Sequence, residues 1–328
     1  MSIFNTGINP LNRFSKVVPI FLTISNDYAQ YAAASINSLM KHTDPNRNYR
    51  VIILYDKLSL PNRWRLRNMV TKNCAIEFRK MKFNLHLQII RTYCATKTGT
   101  GDFFSKTVYY YRAFIARLFL QYDKAIYIDS DTVLLDDIGK LYDIDLGEKV
   151  IAARVDPKVT NVPEFKGYVE NALGIPASEY VNSGVLLMNL KKLRKLHYIT
   201  RMTDLMKDFD VSLVAPDQDY LNLILRGKIM KLDDSWNLEP TKELPKDAKL
   251  LHFNLFNKPW HYENVACEKY FWNAARGTGF YGDLQRTRQG FTDEMREKDH
   301  EKVGALIAKA GELAKVKKPI IKFKDKEK

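Results

Sequence analysis

Lys124-Ala-Ile-Tyr-Ile-Asp129-Ser130-Asp131-Thr-Val-Leu-Leu135 is the stretch that decides the fold. Ala125 to Ile128 is apolar and β-favouring, a short run that fits a strand buried on both faces, and two carboxylates follow at once. Residues two apart in a strand project to the same side, so Asp129 and Asp131 converge where a parallel strand leaves its sheet. Two unpaired carboxylates there would repel each other. A hard divalent cation relieves that repulsion while holding the phosphates of a substrate, as Mg²⁺ or Mn²⁺ does in phosphate chemistry. Three other Asp-x-Asp triplets begin at Asp143, Asp208 and Asp217, and a bare triplet most often marks a solvated turn or helix face. Only Asp129-Ser-Asp131 sits between two apolar runs, where charge needs a reason to be present.

Around that stretch, strand and helix signals alternate. Val17 to Ser25 predicts a first strand, Ala29 to Lys41 a helix, Tyr49 to Tyr55 a second strand, Leu60 to Lys72 a helix and Leu85 to Ile90 a further strand. Such alternation indicates an α/β domain with a mainly parallel central sheet. The turn after the first strand, Asn26-Asp27-Tyr28, carries no glycine, which argues against a dinucleotide-binding fingerprint. Tyr28 either stacks on a nucleotide base, with Ser25 and Asp27 near polar atoms of base or ribose, or packs at the helix start. The polar loop holding Gly99 and Gly101 is either a lid over a substrate or a plain surface loop.

Lys106 to Gln121 reads as an aromatic helix carrying Arg112 and Arg117 directly ahead of the acidic strand. One arginine there suits a phosphate, and two arginines five residues apart point different ways. Ile138 to Tyr142 predicts a helix, and Val150 to Val155 a strand that ends at Asp156. In Tyr180-Val-Asn182-Ser-Gly184, small polar residues precede a buried run, and Gly184 permits close backbone approach. Pro216 opens a helix whose first turn, Asp217-Gln218-Asp219, either faces a ligand or, for Asp217, caps the helix. Lys249 to His252 is a short strand whose terminal histidine is either a metal ligand or a structural residue. Lys258 stands beside the rigid Pro259-Trp260, which lets its ammonium meet a phosphate in a defined place.

The composition narrows the class. A chain of 328 residues with 45% apolar and 27% charged residues buries a sizeable core as one large domain or two smaller ones. The apolar run Val17 to Leu22 is broken by Pro19 and far too short to cross a bilayer, and no signal-peptide pattern precedes it. Cys74, Cys94 and Cys267 are odd in number and lack metal-ligand spacing, which suits a reducing cytoplasm. The formal charge of +14 fits nucleic acid, an anionic membrane face or phosphorylated substrates, and charge alone does not choose among them. Near the C-terminus Val303, Leu306, Ile307, Ala310, Leu313 and Ala314 recur at helical spacing among lysines. This stripe packs on the domain or lies on an anionic cytoplasmic membrane, and the lysine cluster favours the membrane.

Taken together, these residues resemble glycosyltransferase family eight, the bacterial retaining galactosyl- and glucosyltransferases of cell-surface glycans, over roughly residues 17 to 262. The resemblance implies the nucleotide-sugar-binding α/β fold called GT-A; the catalytic domain is expected over about residues 1–280, and 281–328, outside the resemblance, reads from its own apolar stripe and lysines as a helical, basic extension for acceptor or membrane association. It implies Mn²⁺ or Mg²⁺ held by Asp129, Asp131 and His252, the histidine being the third ligand. It sets Arg112 against the nucleotide sugar, Lys258 on the diphosphate, and Thr23, Ser25, Asp27 and Tyr28 in the uridine-binding turn with Ser130 among the donor contacts. Asp156, Asn182, Asp217 and Gln218 match the donor-sugar positions, Asp217 and Gln218 holding the oxocarbenium-like centre. Its partners would be a UDP-sugar and a glycan or lipid-linked acceptor, with no nucleic acid, and self-association as a homo-oligomer is left open. Two departures stand out: Ser25 replaces a frequent aspartate, and Asn254-Leu255-Phe256-Asn257 lacks the usual glycine before Lys-Pro-Trp. A nucleotidyltransferase is the rival enzyme class, although the glycine-rich, basic phosphate loop it would need after the first strand is missing. A basic nucleic-acid-binding protein is the rival outside enzymes, and steep salt-dependent binding would reveal it.

Overall fold

The computed structural model describes residues 17–82, 84–97, 106–208, 213–316 and 318–319. The loop with Gly99 and Gly101 lies outside the described residues. Nine strands are found among them: β1 (Val17–Ile24), β2 (Asn48–Tyr55), β3 (Cys74–Lys80), β4 (Lys124–Ile128), β5 (Thr132–Leu134), β6 (Ile151–Ala153), β7 (Val185–Asn189), β8 (Ile229–Lys231) and β9 (Leu250–His252). Seven form one sheet in the order β3-β2-β1-β4-β7-β6-β8, and β5 pairs with β9 in a separate ribbon. All pairings in the large sheet are parallel except those that β7 makes with β4 and β6. The sheet is therefore mainly parallel, as the alternation of strand and helix signals requires.

Side-chain alternation splits the core between the two faces of the sheet. Ile20, Leu22, Ile126 and Ile128 pack toward the helix Ala29–Lys41, whereas Phe21, Ala125 and Tyr127 join the aromatic cluster on the other side. Each of these side chains is at most 1% exposed, and removing an Ile-sized side chain from water is worth about 1.5–3 kcal/mol. Burial on both faces is what the unbroken apolar run of β4 announces.

Several boundaries differ from the sequence reading. Leu85 to Ile90 is not a strand but the first half of a helix, Leu85–Lys97, and the third parallel strand is β3. Leu85, Leu87 and Ile89 mimic a period of two. The buried positions, however, are Leu87, Ile90, Tyr93 and Cys94, the spacing of one helix face, and Asn84 Oδ1 caps the start by accepting from Leu87 N–H at 3.0 Å. The helix from Leu60 stops at Arg67 rather than Lys72. Thr107–Phe114 is a 3₁₀ helix followed by one short α-turn, Ile115–Leu118, in place of a continuous α-helix.

The C-terminal helix, Asp293–Ala314, begins with Thr292 Oγ1 accepting from Met295 N–H. Its apolar stripe is spent on the protein itself. Leu306 and Ala310 are buried, and Ile307, Leu313 and Val316 pack against the same cluster. A Cβ placed on Gly167 would lie 3.0 Å from Ala314 Cβ, so this helix sits close against Pro163–Gly167. The expectation that the stripe meets a membrane is corrected accordingly, because intramolecular burial already satisfies it. No helix among the described residues is long and apolar enough to cross a membrane.

Candidate active site

β4 ends at Ile128, and its antiparallel pairing with β7 continues one residue further through Asp129 N–H donating to Gly184 O at 2.8 Å. The chain then turns, with Thr132 Oγ1 donating to Asp129 O at 2.8 Å and sharing a 2.9 Å hydrogen bond with Ser35 Oγ. Pairing of β5 with β9 sets Thr132 opposite His252, and Phe253 N–H donates to Asp131 O at 3.0 Å. The ribbon thus delivers a histidine from far along the chain to the acidic turn. His252 Nε2 lies 3.2 Å from Asp131 Oδ1 and 3.8 Å from Asp129 Oδ2, and one ligand atom from each of the three residues falls within 4.8 Å of the others.

Nε2 of His252 is buried and makes no hydrogen bond of good geometry, while Nδ1 lies 2.8 Å from Asn237 Oδ1. A buried nitrogen without a hydrogen-bond partner, facing two carboxylates, fits a divalent cation that accepts imidazole and carboxylate ligands. Gly184 makes the room. A Cβ there would stand 2.9 Å from Asp129 Oδ2, 2.9 Å from His252 Nδ1 and closer still to the ring carbon Cε1.

Two fixed cations border the cluster. Lys258 Nζ sits 2.5 Å from Asp131 Oδ2 and donates to Phe253 O, and its loop keeps left-handed backbone at Leu255 and Asn257 although neither is glycine. Arg112 is 6% exposed. Its Nη2 is 3.1 Å from Asp129 Oδ1, its Nε 3.3 Å from Asp217 Oδ2, and its Nη1 donates to Ser183 O at 2.5 Å. It also lies over the ring of Tyr127, whose hydroxyl donates to Asp129 Oδ1 at 2.6 Å. Arg117 points elsewhere, to His86. Burial alone would raise the Asp131 carboxyl, but Lys258 and His252 outweigh it and hold the group well below the usual carboxylate range. Burial pushes Asp217 up to about 6 against the opposing pull of Arg112.

These groups open onto a cavity of about 730 Å³. Thr23, near the end of β1, and Ser25, Asp27 and Tyr28 just beyond it line the cavity, as do Ser130 of the acidic turn and Lys258. Asp156, Asn182, Asp217 and Gln218 form another wall. His252 alone of the expected residues stands behind the lining. Gln218 Oε1 accepts from Ser183 N–H at 2.9 Å, which turns its NH₂ toward Asp156 Oδ2 at 3.0 Å and Tyr180 Oη at 3.3 Å. Both ends of this amide are engaged, so it is built to hold its neighbours.

Several neighbours of the site were not legible as functional. Tyr127 reads as core within an apolar strand, Ser183 as a spacer, and Asn237 follows Trp236 in a stretch with no pattern. Asp219 stands in the sequence only as one residue of a helix turn that can face a ligand, yet it is fully buried, accepts from Tyr180 and Tyr168 hydroxyls at 2.5 and 2.9 Å, and is pushed by burial up to about 7. Met295, Asp299, Lys302 and Leu306, on one face of the C-terminal helix, also line the cavity.

Comparison with known proteins agrees with this geometry. The sequence pattern of "Glycosyl transferase family 8" matches residues 19–264. The chain is 26% identical over 258 residues to a putative glycosyltransferase of Haemophilus influenzae, covering 75% of this chain and 74% of that one. It is also 26% identical over 212 residues to the lipopolysaccharide 1,2-glucosyltransferase of Escherichia coli, covering 58% of this chain and 60% of the relative. Among solved structures, the WbbM bifunctional glycosyltransferase superposes with a TM-score of 0.70 at 25% identity, over 86% of this chain and 53% of that longer one. The galactosyltransferase LgtC, solved with donor and acceptor sugar analogues, superposes with a TM-score of 0.65 at 23% identity, over 86% of this chain and 100% of its own, and shows the shared GT-A fold. With the family pattern spanning most of the chain and the sheet matching that fold, the chain belongs to glycosyltransferase family 8.

Proposed function

We propose that this enzyme moves a hexose, galactose or glucose, from a UDP-sugar to a cell-surface glycan or lipid-linked acceptor with retention of configuration. The observation that carries the reading is the convergence of Asp129, Asp131 and His252 beside a cavity walled by Tyr28 on one side and by Asp156, Asn182, Asp217 and Gln218 on another. The three ligand atoms would hold Mn²⁺ or Mg²⁺, which when bound supplies positive charge against the negative charge that develops on departing UDP. Lys258 adds a second positive charge from the loop side, and Tyr28 offers its ring to the base. Asn182 and Gln218 both donate to Asp156 Oδ2, at 3.1 and 3.0 Å, which makes this wall a rigid frame for sugar hydroxyls. Asp217, close to Arg112 and Asp129, places carboxylate charge where an oxocarbenium-like centre would form. Because the amide of Gln218 is held at both ends, same-face attack accords with the geometry better than covalent capture by that residue.

The acceptor would approach along the C-terminal helix, whose Met295, Asp299 and Lys302 face the same cavity. With the apolar stripe buried, contact of this segment with an anionic membrane would rest on its lysines alone. The test is UDP release from a panel of UDP-sugars, with and without Mn²⁺, for the unaltered enzyme and for Asp131→Asn. Metal-dependent release with one preferred sugar, lost in the variant, is expected. Equal turnover by chelator-treated enzyme would refute the proposed metal site.

A further inference from the structure

Asn237 lies outside the cavity lining, is 3% exposed, and has no part in the donor set described above. One backbone amide nevertheless fixes how it is turned. Gly184 N–H can only donate, and its partner at 2.9 Å is therefore the oxygen of Asn182, whose NH₂ faces Asp156. The same oxygen takes a second hydrogen bond from Asn237 at 3.0 Å, so the donor must be the Asn237 nitrogen. Its oxygen then faces His252 Nδ1 at 2.8 Å. A carbonyl oxygen only accepts, so the proton resides on Nδ1, and Nε2 is the nitrogen turned to Asp131 and Asp129. A neutral histidine side chain in water prefers its proton on Nε2. The ring needs an outside acceptor to hold the form that binds a cation through Nε2.

We propose that Asn237, oriented through Asn182 by the Gly184 amide, is a positioning residue that locks His252 as its Nδ1–H tautomer and so sets the site's affinity for a divalent cation. The proposal rests on the cation reading of the site given above. Removing the acceptor leaves a buried Nδ1–H without a partner and frees the ring to turn or change tautomer. Loss of such an outer partner typically weakens metal binding about 10–100-fold. The backbone at this position is secured separately, by Arg154 Nη1 donating to Asn237 O at 2.7 Å and by Asn237 N–H donating to Asp234 O at 3.1 Å. The side chain can therefore be exchanged while its loop stays anchored.

The experiment is titration of the full chain with Mn²⁺ alone, followed by electron paramagnetic resonance, together with ¹⁵N NMR of the histidine rings. Asn237→Leu is expected to weaken Mn²⁺ binding about 10–100-fold and to lose the Nδ1–H signature of His252. Asn237→Asp keeps an acceptor for Nδ1–H but gives up the donor to Asn182 Oδ1, so it is expected to retain the Nδ1–H tautomer and to bind Mn²⁺ more tightly than Asn237→Leu. Thermal melts verify folding, and the aspartate variant together with the unaltered protein's own ring spectrum keeps the test decisive if the leucine variant does not fold. Unchanged affinity and tautomer in Asn237→Leu, an Nε2–H ring in the unaltered protein, or loss of affinity equally in both variants would overturn the proposal alone. Absence of Mn²⁺ binding that depends on Asp131 would overturn the cation reading, and the proposal with it.

Discussion

Gly184→Ala is expected to abolish most activity while leaving the fold standing. The added Cβ would lie 2.9 Å from Asp129 Oδ2 and from His252 Nδ1, and nearer still to His252 Cε1, whereas unstrained carbon contacts begin at about 3.5 Å. The backbone cannot retreat, because Gly184 O accepts from Asp129 N–H and Gly184 N–H donates to Asn182 Oδ1. The histidine ring, the carboxylate or both must therefore move by roughly an ångström, about twice what a preorganised site tolerates. A displacement of that size costs on the order of 10²-fold in rate. Overpacking of this kind costs about 1–3 kcal/mol, which a domain with about 5–15 kcal/mol of stability survives. The assay is UDP release at saturating donor, paired with a thermal melt and a Mn²⁺ titration. Gly304→Ala is the control, since nothing lies within 4 Å of a Cβ there. A folded Gly184→Ala enzyme with turnover and Mn²⁺ affinity within twofold of normal would refute the claim that this glycine makes room for the ligand cluster.

Three further predictions follow from other parts of the structure. Lys302→Ala and Met295→Ala, on the helix wall of the cavity, are expected to lower transfer to simple β-galactoside or β-glucoside probes several-fold while sparing donor hydrolysis; parallel loss of both reactions would contradict an acceptor role. Asp219 binds its proton more tightly in the folded state (about 7) than in the unfolded chain (about 4), so its contribution to stability is greatest below pH 4 and falls as pH rises through 7. Urea melts should show this decline, on the order of a few kcal/mol, in the unaltered protein and not in Asp219→Asn, whatever that variant's overall stability; identical pH profiles would count against it. Leu255 holds φ at 59°, which a β-branched residue tolerates poorly, so Leu255→Val should cost about 1–2 kcal/mol and raise the donor KM by shifting Lys258; an unchanged KM would count against the donor-phosphate role proposed for Lys258.

How much of this was legible in the sequence depends on whether the signal is local. The acidic strand end was, because charge after Ala125 to Ile128 conflicts with burial and demands a partner. The lysine held by Pro259-Trp260 was too, since its rigidity is written into adjacent residues. Leu85 to Ile90 misled because a helix that exposes Leu85 and buries Leu87 and Ile90 begins with the alternation of a strand, and six residues are too few to tell the periods apart. Tyr127, Asn237 and Asp219 act through partners distant in sequence, which no spacing rule reaches. The helix Asp293–Ala314 showed its stripe plainly. What the stripe could not show is its counterpart, because Phe165 and Val169 become a docking surface only once the chain has folded.

The ribbon of β5 and β9 also bears on when the enzyme becomes active during its own synthesis. Asp131 and Lys258 are 127 residues apart in sequence, and His252 reaches the acidic turn only after β9 has docked on β5. Parallel pairing of β1, β2 and β4 involves only earlier residues, so the wall of the cleft carrying Thr23 to Tyr28 is complete in sequence long before His252 and Lys258 leave the ribosome. Contacts of such long range form late and slowly, since loop closure must precede any gain from them. A nascent chain stalled before residue 250 is accordingly expected to carry the wall with Thr23 to Tyr28 but no closed cluster of Asp129, Asp131 and His252. Donor turnover by such a stalled chain would show that closure of the ribbon is not the committing step.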